Sequence, residues 1–123
     1  MSALAPGDAE MFWHAQHRIT DQFALYCFAA QPDSDAGRVE NELRARVAAV
    51  DDLNVRVAPA RRNLAFPRWV RRADPAPVVC HRGPVHWDEC ARQVATLLAD
   101  GLDPTVAASR IHLLGPISGA PQT

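Results

Sequence analysis

The chain contains no lysine: all 13 of its basic residues are arginine. That excludes a lysine Schiff base, a lysine nucleophile and the lysine of a phosphate-binding P-loop. Cysteine is sparse and odd in number, with Cys27, Cys80 and Cys90 only. A disulfide framework is not expected from three thiols, and a reducing cytoplasm is the compartment they suit. No apolar run approaches the ~20 residues of a membrane-spanning helix. The opening MSALAPGDAE lacks the basic region and apolar stretch of a secretory signal. Neither sign of charge dominates, since 13 bases meet 14 acids for a net charge of −1. No global field therefore draws in nucleic acid or an anionic membrane.

What is present suits one domain: 123 residues, of which 48% are apolar. Of those 59 apolar residues 22 are alanine, which leaves 37 larger side chains and a thin core. Asp8 to Gln16 reads as a short helix capped by Gly7 or Asp8, with Phe12 and Trp13 as its apolar face. Gln22 to Ala30 (QFALYCFAA) has the pattern of a strand covered on both faces. Val39, Leu43, Val47 and Val50 recur at helical spacing, so a helix is expected over 37–50. Leu53 to Ala58 alternates like a strand with one wet face, and Phe66 to Arg72 is a second extended piece that Pro67 pushes towards an edge. Val78 to His81 is a third short strand. Trp87 to Ala99 is the second clear helix, with Trp87, Cys90, Ala91, Val94, Leu97 and Leu98 on one face and Gly101 as its stop. Arg110 to Leu114 reads as the last strand, and GPISGAPQT after it as turn. The expected class is α/β: a partial two-layer sandwich in which helices pack on a mixed sheet. Because an apolar strand falls at the very end, with an edge left to pair, the sequence looks interrupted.

Four groups of residues could carry chemistry. Cys80, His81, His86 and Cys90 bring two thiols and two imidazoles into eleven residues, the ligand types zinc prefers. Their spacing lacks a Cys-x-x-Cys pair and Cys90 falls on the helix's apolar face, so no metal site is assigned. His14 and His17 lie close to Asp21 and could form an acid–base pair, but fit an exposed helix end better. Arg61, Arg62, Arg68, Arg71 and Arg72 are interleaved with Phe66 and Trp69, the materials of a phosphate or base-stacking surface. Arg68 and Arg71 would point to opposite faces of a strand, so a solvated, charge-protected edge is the favoured reading. Gly115 and Gly119 bracket a turn, since no helix pattern follows to make a phosphate cradle.

Several of these segments, in order, resemble the N-terminal part of the bacterial wax ester synthase/diacylglycerol acyltransferase family. LAPGDAEMFWHAQ (4–16) is similar to that family's Leu-Ser-x-x-Asp start and apolar helix, and QFALYCF stands where its first strand would. FPRWVRR (66–72) resembles the segment before the family's next histidine-containing stretch. HWDECARQVATLLADGLDPTVAASRIHLLGPISG (86–119) resembles its helix, its turn with Leu102 and Asp103, and the following strand. The resemblance implies a chloramphenicol-acetyltransferase-like fold, of which residues 1–123 would be an incomplete part of one half. It also implies acyl transfer from acyl-CoA to a long-chain alcohol or diacylglycerol. The family's general base is the second histidine of HHxxxDG, an imidazole whose pKa suits proton removal near neutrality.

That motif is absent here: no two histidines are adjacent. Ser109 also stands where many relatives carry Trp. No catalytic, cofactor-binding or metal-binding residue is therefore assigned, and His81, His86 and His112 are not promoted into the catalytic role. The expected function is an N-terminal fragment of an acyl-CoA-dependent O-acyltransferase, inactive alone, with no cofactor beyond its acyl-CoA substrate. The expected site is the cytoplasm or the periphery of a membrane or lipid body. The runner-up is a stand-alone interaction domain that pairs through its terminal strand with a complementary chain or a second copy. Nucleic acid is not an expected partner.

Overall fold

The computed structural model describes residues 2–16, 21–29 and 35–119. It is a mixed α/β structure with two small sheets rather than one. Helix α1 spans Pro6–Ala15. The chain enters it through an extended Ala5 with Pro6 in the first turn, so the proline's preset φ starts the helix and neither Gly7 nor Asp8 caps it. Helix α2 spans Ala36–Ala49, and Asp35 caps it by accepting from the Gly37 amide at 2.9 Å. Two ion pairs one turn apart brace it, Glu40–Arg44 at 2.9 Å and Glu42–Arg46 at 2.7 Å.

Strand β1 (Val55–Ala58) pairs antiparallel with β2 (Arg68–Arg71). The alternation expected for β1 is present: Val55 and Val57 are buried while Arg56 and Ala58 are only half-buried. Leu53, where the sequence pattern starts that strand, instead ends a short 3-10 turn over Asp51–Leu53. The outer sides of this ladder are bordered. Ser2 and Leu4 exchange backbone hydrogen bonds with Trp69 and Pro67 beside β2, and residues 104–108 bond to Val55 and Val57 beside β1. Leu4, Ala9, Phe12 and Val57 close a core there, with Trp13 and Trp69 packed against it.

Strand β3 (Val78–His86) pairs in parallel with β4 (Ile111–Ser118), and helix α3 (Trp87–Asp100) connects them. This is a βαβ unit, as a parallel pair requires. Both strands outrun their expected limits. β3 extends five residues past His81, and β4 continues through Gly115 and Pro116, which were expected to be turn. The ladder absorbs the glycine and proline with a register shift opposite, between Arg82 and Val85, the kind of irregularity where a strand tolerates a missing N–H. Gly101, at φ 74°, ends α3 as the sequence indicated.

Two expectations fail. The single mixed sheet of a two-layer sandwich is replaced by two separate ladders, and among the described residues no third strand joins the β3–β4 pair. The strand expected at Gln22 to Ala30 is not formed over residues 21–29, all nine of which are exposed; Ala30 lies outside the described residues. Its apolar pattern is that of a strand, but a strand exists only when a neighbouring backbone takes up its N–H and C=O groups. Among the described residues no neighbouring strand pairs with it.

Asn54 ties the end of α2 to the residues just before β3. Its amide nitrogen donates to the carbonyls of Val47 (3.0 Å) and Val50 (2.9 Å) at the end of α2, and its Oδ1 accepts from the Ala76 amide at 2.6 Å. It is the buried polar side chain of the core, at 7% exposure, and every bond it makes satisfies a group that helix termination or chain reversal would otherwise orphan. Val47 packs with Ala76 and Val78 directly beside it.

Candidate functional site

The chemistry-bearing side chains that the fold brings together are His81 and His112. Along β3, Val78 and Cys80 face α2, where they pack with Leu43 and Val47; Val79 and His81 therefore point to the opposite face. The register pairs Val79 with His112 and His81 with Leu114, so the two histidines are diagonal neighbours on one face. Nε2 of His81 lies 3.0 Å from Nδ1 of His112, with ring centroids 5.2 Å apart and the planes tilted by 31°. At that distance one ring donates and the other accepts, so the pair holds a single shared N–H when neutral. Burial, and secondarily the Arg110 guanidinium and His81, push the His112 imidazole below its ordinary pKa.

His81 forms one wall of an open groove of about 270 Å³ along α3, with Glu89, Arg92, Gln93, Thr96 and Leu97 as the other. Glu89 and Arg92, one turn apart, are paired at 2.8 Å. The arrangement can accept a proton at the imidazole pair and offers one carboxylate and one guanidinium beside it. Among the described residues no group of three or more His, Cys, Asp or Glu side chains is placed to hold a metal ion.

The sequence cluster Cys80, His81, His86 and Cys90 comes apart in the fold. Cys80 faces the α2 side and His81 the groove. His86 sits at the start of α3, where its Nδ1 accepts from the Asp88 amide at 3.2 Å. Cys90 is buried in α3 at 1% exposure, and burial, with a smaller contribution from Cys27, pushes its thiol pKa up. A buried thiol with a raised pKa is a poor nucleophile and a poor ligand. Of the first-helix group, His14 lies 3.7 Å from Glu10 on the exposed end of α1, Asp21 is exposed, and His17 lies outside the described residues.

The arginines also disperse. Arg61 and Arg62 stand exposed in a short turn, Arg62 at φ 57°. Arg71 pairs with Asp51. Arg72 turns inward along the backbone, donating to the carbonyls of Val106 at 2.9 Å and Pro75 at 2.6 Å. Trp69 packs on the α1 core and Phe66 meets Trp13 edge-on at 5.8 Å, so neither ring is a free stacking platform for bases. Gly115 and Gly119 flank strand residues and not a phosphate loop.

Sequence reasoning missed the histidine pair because 31 residues separate its members. The signal it had was weak: each histidine sits inside a short apolar run that reads as a strand, and only the parallel register brings them side by side.

Comparison of the chain with protein-family models, with curated proteins and with solved structures finds no match. Among the described residues no helix is long and apolar enough to cross a membrane.

Proposed function

We propose that this chain is the N-terminal segment of an acyl-CoA-dependent O-acyltransferase of the wax ester synthase/diacylglycerol acyltransferase type, and that it has no transferase activity by itself. The observation that carries the reading is the β3–α3–β4 unit. The segment 86–119 resembles the family's helix, Leu-Asp turn and strand, and it folds as a helix, a turn over 104–106 just after Leu102 and Asp103, and a strand, in that order. Two further features support it. The LAPGDAEMFW start enters a helix at Pro6, and among the described residues no further strand pairs with β4, where the segment that bears HHxxxDG in the family would lie. In the complete enzyme that segment supplies the general base, acyl-CoA the acyl group, and a long-chain alcohol or diacylglycerol the acceptor hydroxyl.

The test is the coding sequence after Thr123, read in all three frames, together with an assay of the purified chain on acyl-CoA and a long-chain alcohol. The expected result is an HHxxxDG-bearing continuation and no turnover by the 123 residues. A downstream sequence without that motif in any frame, or turnover by the isolated chain, overturns the proposal.

A further inference from the structure

The net charge of −1 conceals a segregation of charge along the chain. Residues 53–73 hold six of the 13 arginines and neither an acidic residue nor a histidine, a charge of +6. The other seven arginines stand against all 14 acids and leave the rest of the chain at −7. The basic stretch is the β1–β2 hairpin with the residues that flank it.

Two of its arginines are used internally: Arg71 pairs with Asp51, and Arg72 holds the carbonyls of Pro75 and Val106. The other four lie towards the turn end of the ladder. Arg61 and Arg62 are exposed in the connection 59–67, and among the described residues no carboxylate pairs with either. Arg68 is the exposed first residue of β2, opposite Ala58, and Arg56 is its diagonal neighbour on the same face. That face is turned away from α1, since Val57 and Trp69 occupy the other.

The same connection exposes apolar side chains. Leu64 is 83% exposed, and Phe66, whose ring meets Trp13 edge-on, is 45% exposed. Between Arg62 and Arg68 the turn thus carries an apolar tip within a rim of guanidinium groups. A nucleic-acid backbone would use the rim and leave the tip in water. An anionic bilayer uses both: its headgroups neutralise the arginines, whose stems run along the apolar boundary, while Leu64 and Phe66 enter the acyl edge.

We propose that residues 61–68, the turn of the β1–β2 hairpin, form a docking surface for anionic lipid bilayers, held by Arg61, Arg62 and Arg68 and by insertion of Leu64 and Phe66. The proposal stands on charge segregation and exposure, and does not depend on the acyltransferase reading.

The test is co-sedimentation of the full chain with vesicles of phosphatidylcholine alone and of phosphatidylcholine mixed with phosphatidylserine, at low and at physiological salt. The expected result is binding to the serine-containing vesicles only, weakening as salt rises. Each arginine at such a surface is worth about fivefold, so Arg61→Gln and Arg62→Gln together weaken binding about twenty-five-fold. Leu64→Ser weakens it about fivefold and leaves its salt dependence unchanged. All three side chains are exposed, so the variants keep the fold, which circular dichroism checks. No binding to the serine-containing vesicles, equal binding to both kinds, or binding that either variant leaves intact overturns the proposal. So does binding to duplex DNA that is as tight as to vesicles and indifferent to Leu64→Ser, which would assign the arginine rim to nucleic acid.

Discussion

The two sheets of this chain have two strands each, yet among the described residues further backbone borders both edges of the first and neither edge of the second. Around β1–β2, the N-terminal residues border one edge and residues 104–108 the other, and the side chains inside are buried to a few percent: Val57 at 2%, Leu4 at 3%, Phe12 at 6%. Around β3–β4 the helix α3 covers one face loosely, and most of its apolar stripe stays half in water. Composition separates the two regions in part: both use valine, leucine and alanine, but Phe12, Trp13 and Trp69 belong to the first core. A second difference lies in what finishes each ladder. A strand edge taken up by neighbouring backbone lets side chains above it pack to full density, whereas an edge left to solvent keeps its apolar faces wet.

That contrast can be broken from either side. The largest effect is expected at Phe12: Phe12→Ala removes a ring from the closed core and costs about 3–5 kcal/mol, whereas Leu97→Ala in the open unit costs about 1 kcal/mol, both read by urea denaturation. Equal costs would show that the two regions are packed alike. Asn54→Ala comes next, with about 2–3 kcal/mol lost, because it strands the carbonyls of Val47 and Val50 and the Ala76 amide together. If Asn54→Ala is neutral, the end of α2 and Ala76 are not held together through that residue.

A smaller effect is expected from pH. The folded His112 imidazole has its pKa lowered, so below the ordinary value near 6.5 the unfolded chain binds more protons than the folded one. Stability therefore falls as pH drops through and below about 6.5 and levels off above it. The His112→Gln variant should flatten that dependence, seen as a smaller difference in urea midpoint between mildly acidic and neutral buffer. An unchanged slope would remove His112 as its source. The smallest effect is at the exposed Arg71–Asp51 pair, where Asp51→Asn should change stability by less than about 0.5 kcal/mol.

How much was legible beforehand differs by residue. The stripe Val39, Leu43, Val47 defined α2 to within a residue at each end, and the α3 boundaries, with Gly101 as stop, were equally plain. Helices bond within themselves, so local periodicity suffices to place them. QFALYCFAA has as good a strand pattern as β1, yet only β1 is a strand, because pairing is non-local. GPIS looked like turn and became the end of β4, since the β3 ladder carried it past Gly115 and Pro116. At the candidate site, the tight grouping of Cys80, His81, His86 and Cys90 promised a cluster that strand alternation and helix entry pulled apart. The pair that did form, His81 with His112, had no mark in sequence spacing.

From the sequence alone come the α/β class, the two long helices, the thin alanine-rich core and the lack of any lysine-based chemistry. Each depends on composition or on contacts within a few residues. The division into two ladders, the parallel register of β3 and β4, the histidine pair and the failure of 21–29 to form a strand were decided by tertiary structure. Those depend on which backbone meets which across tens of residues, and no local pattern of side chains carries that information.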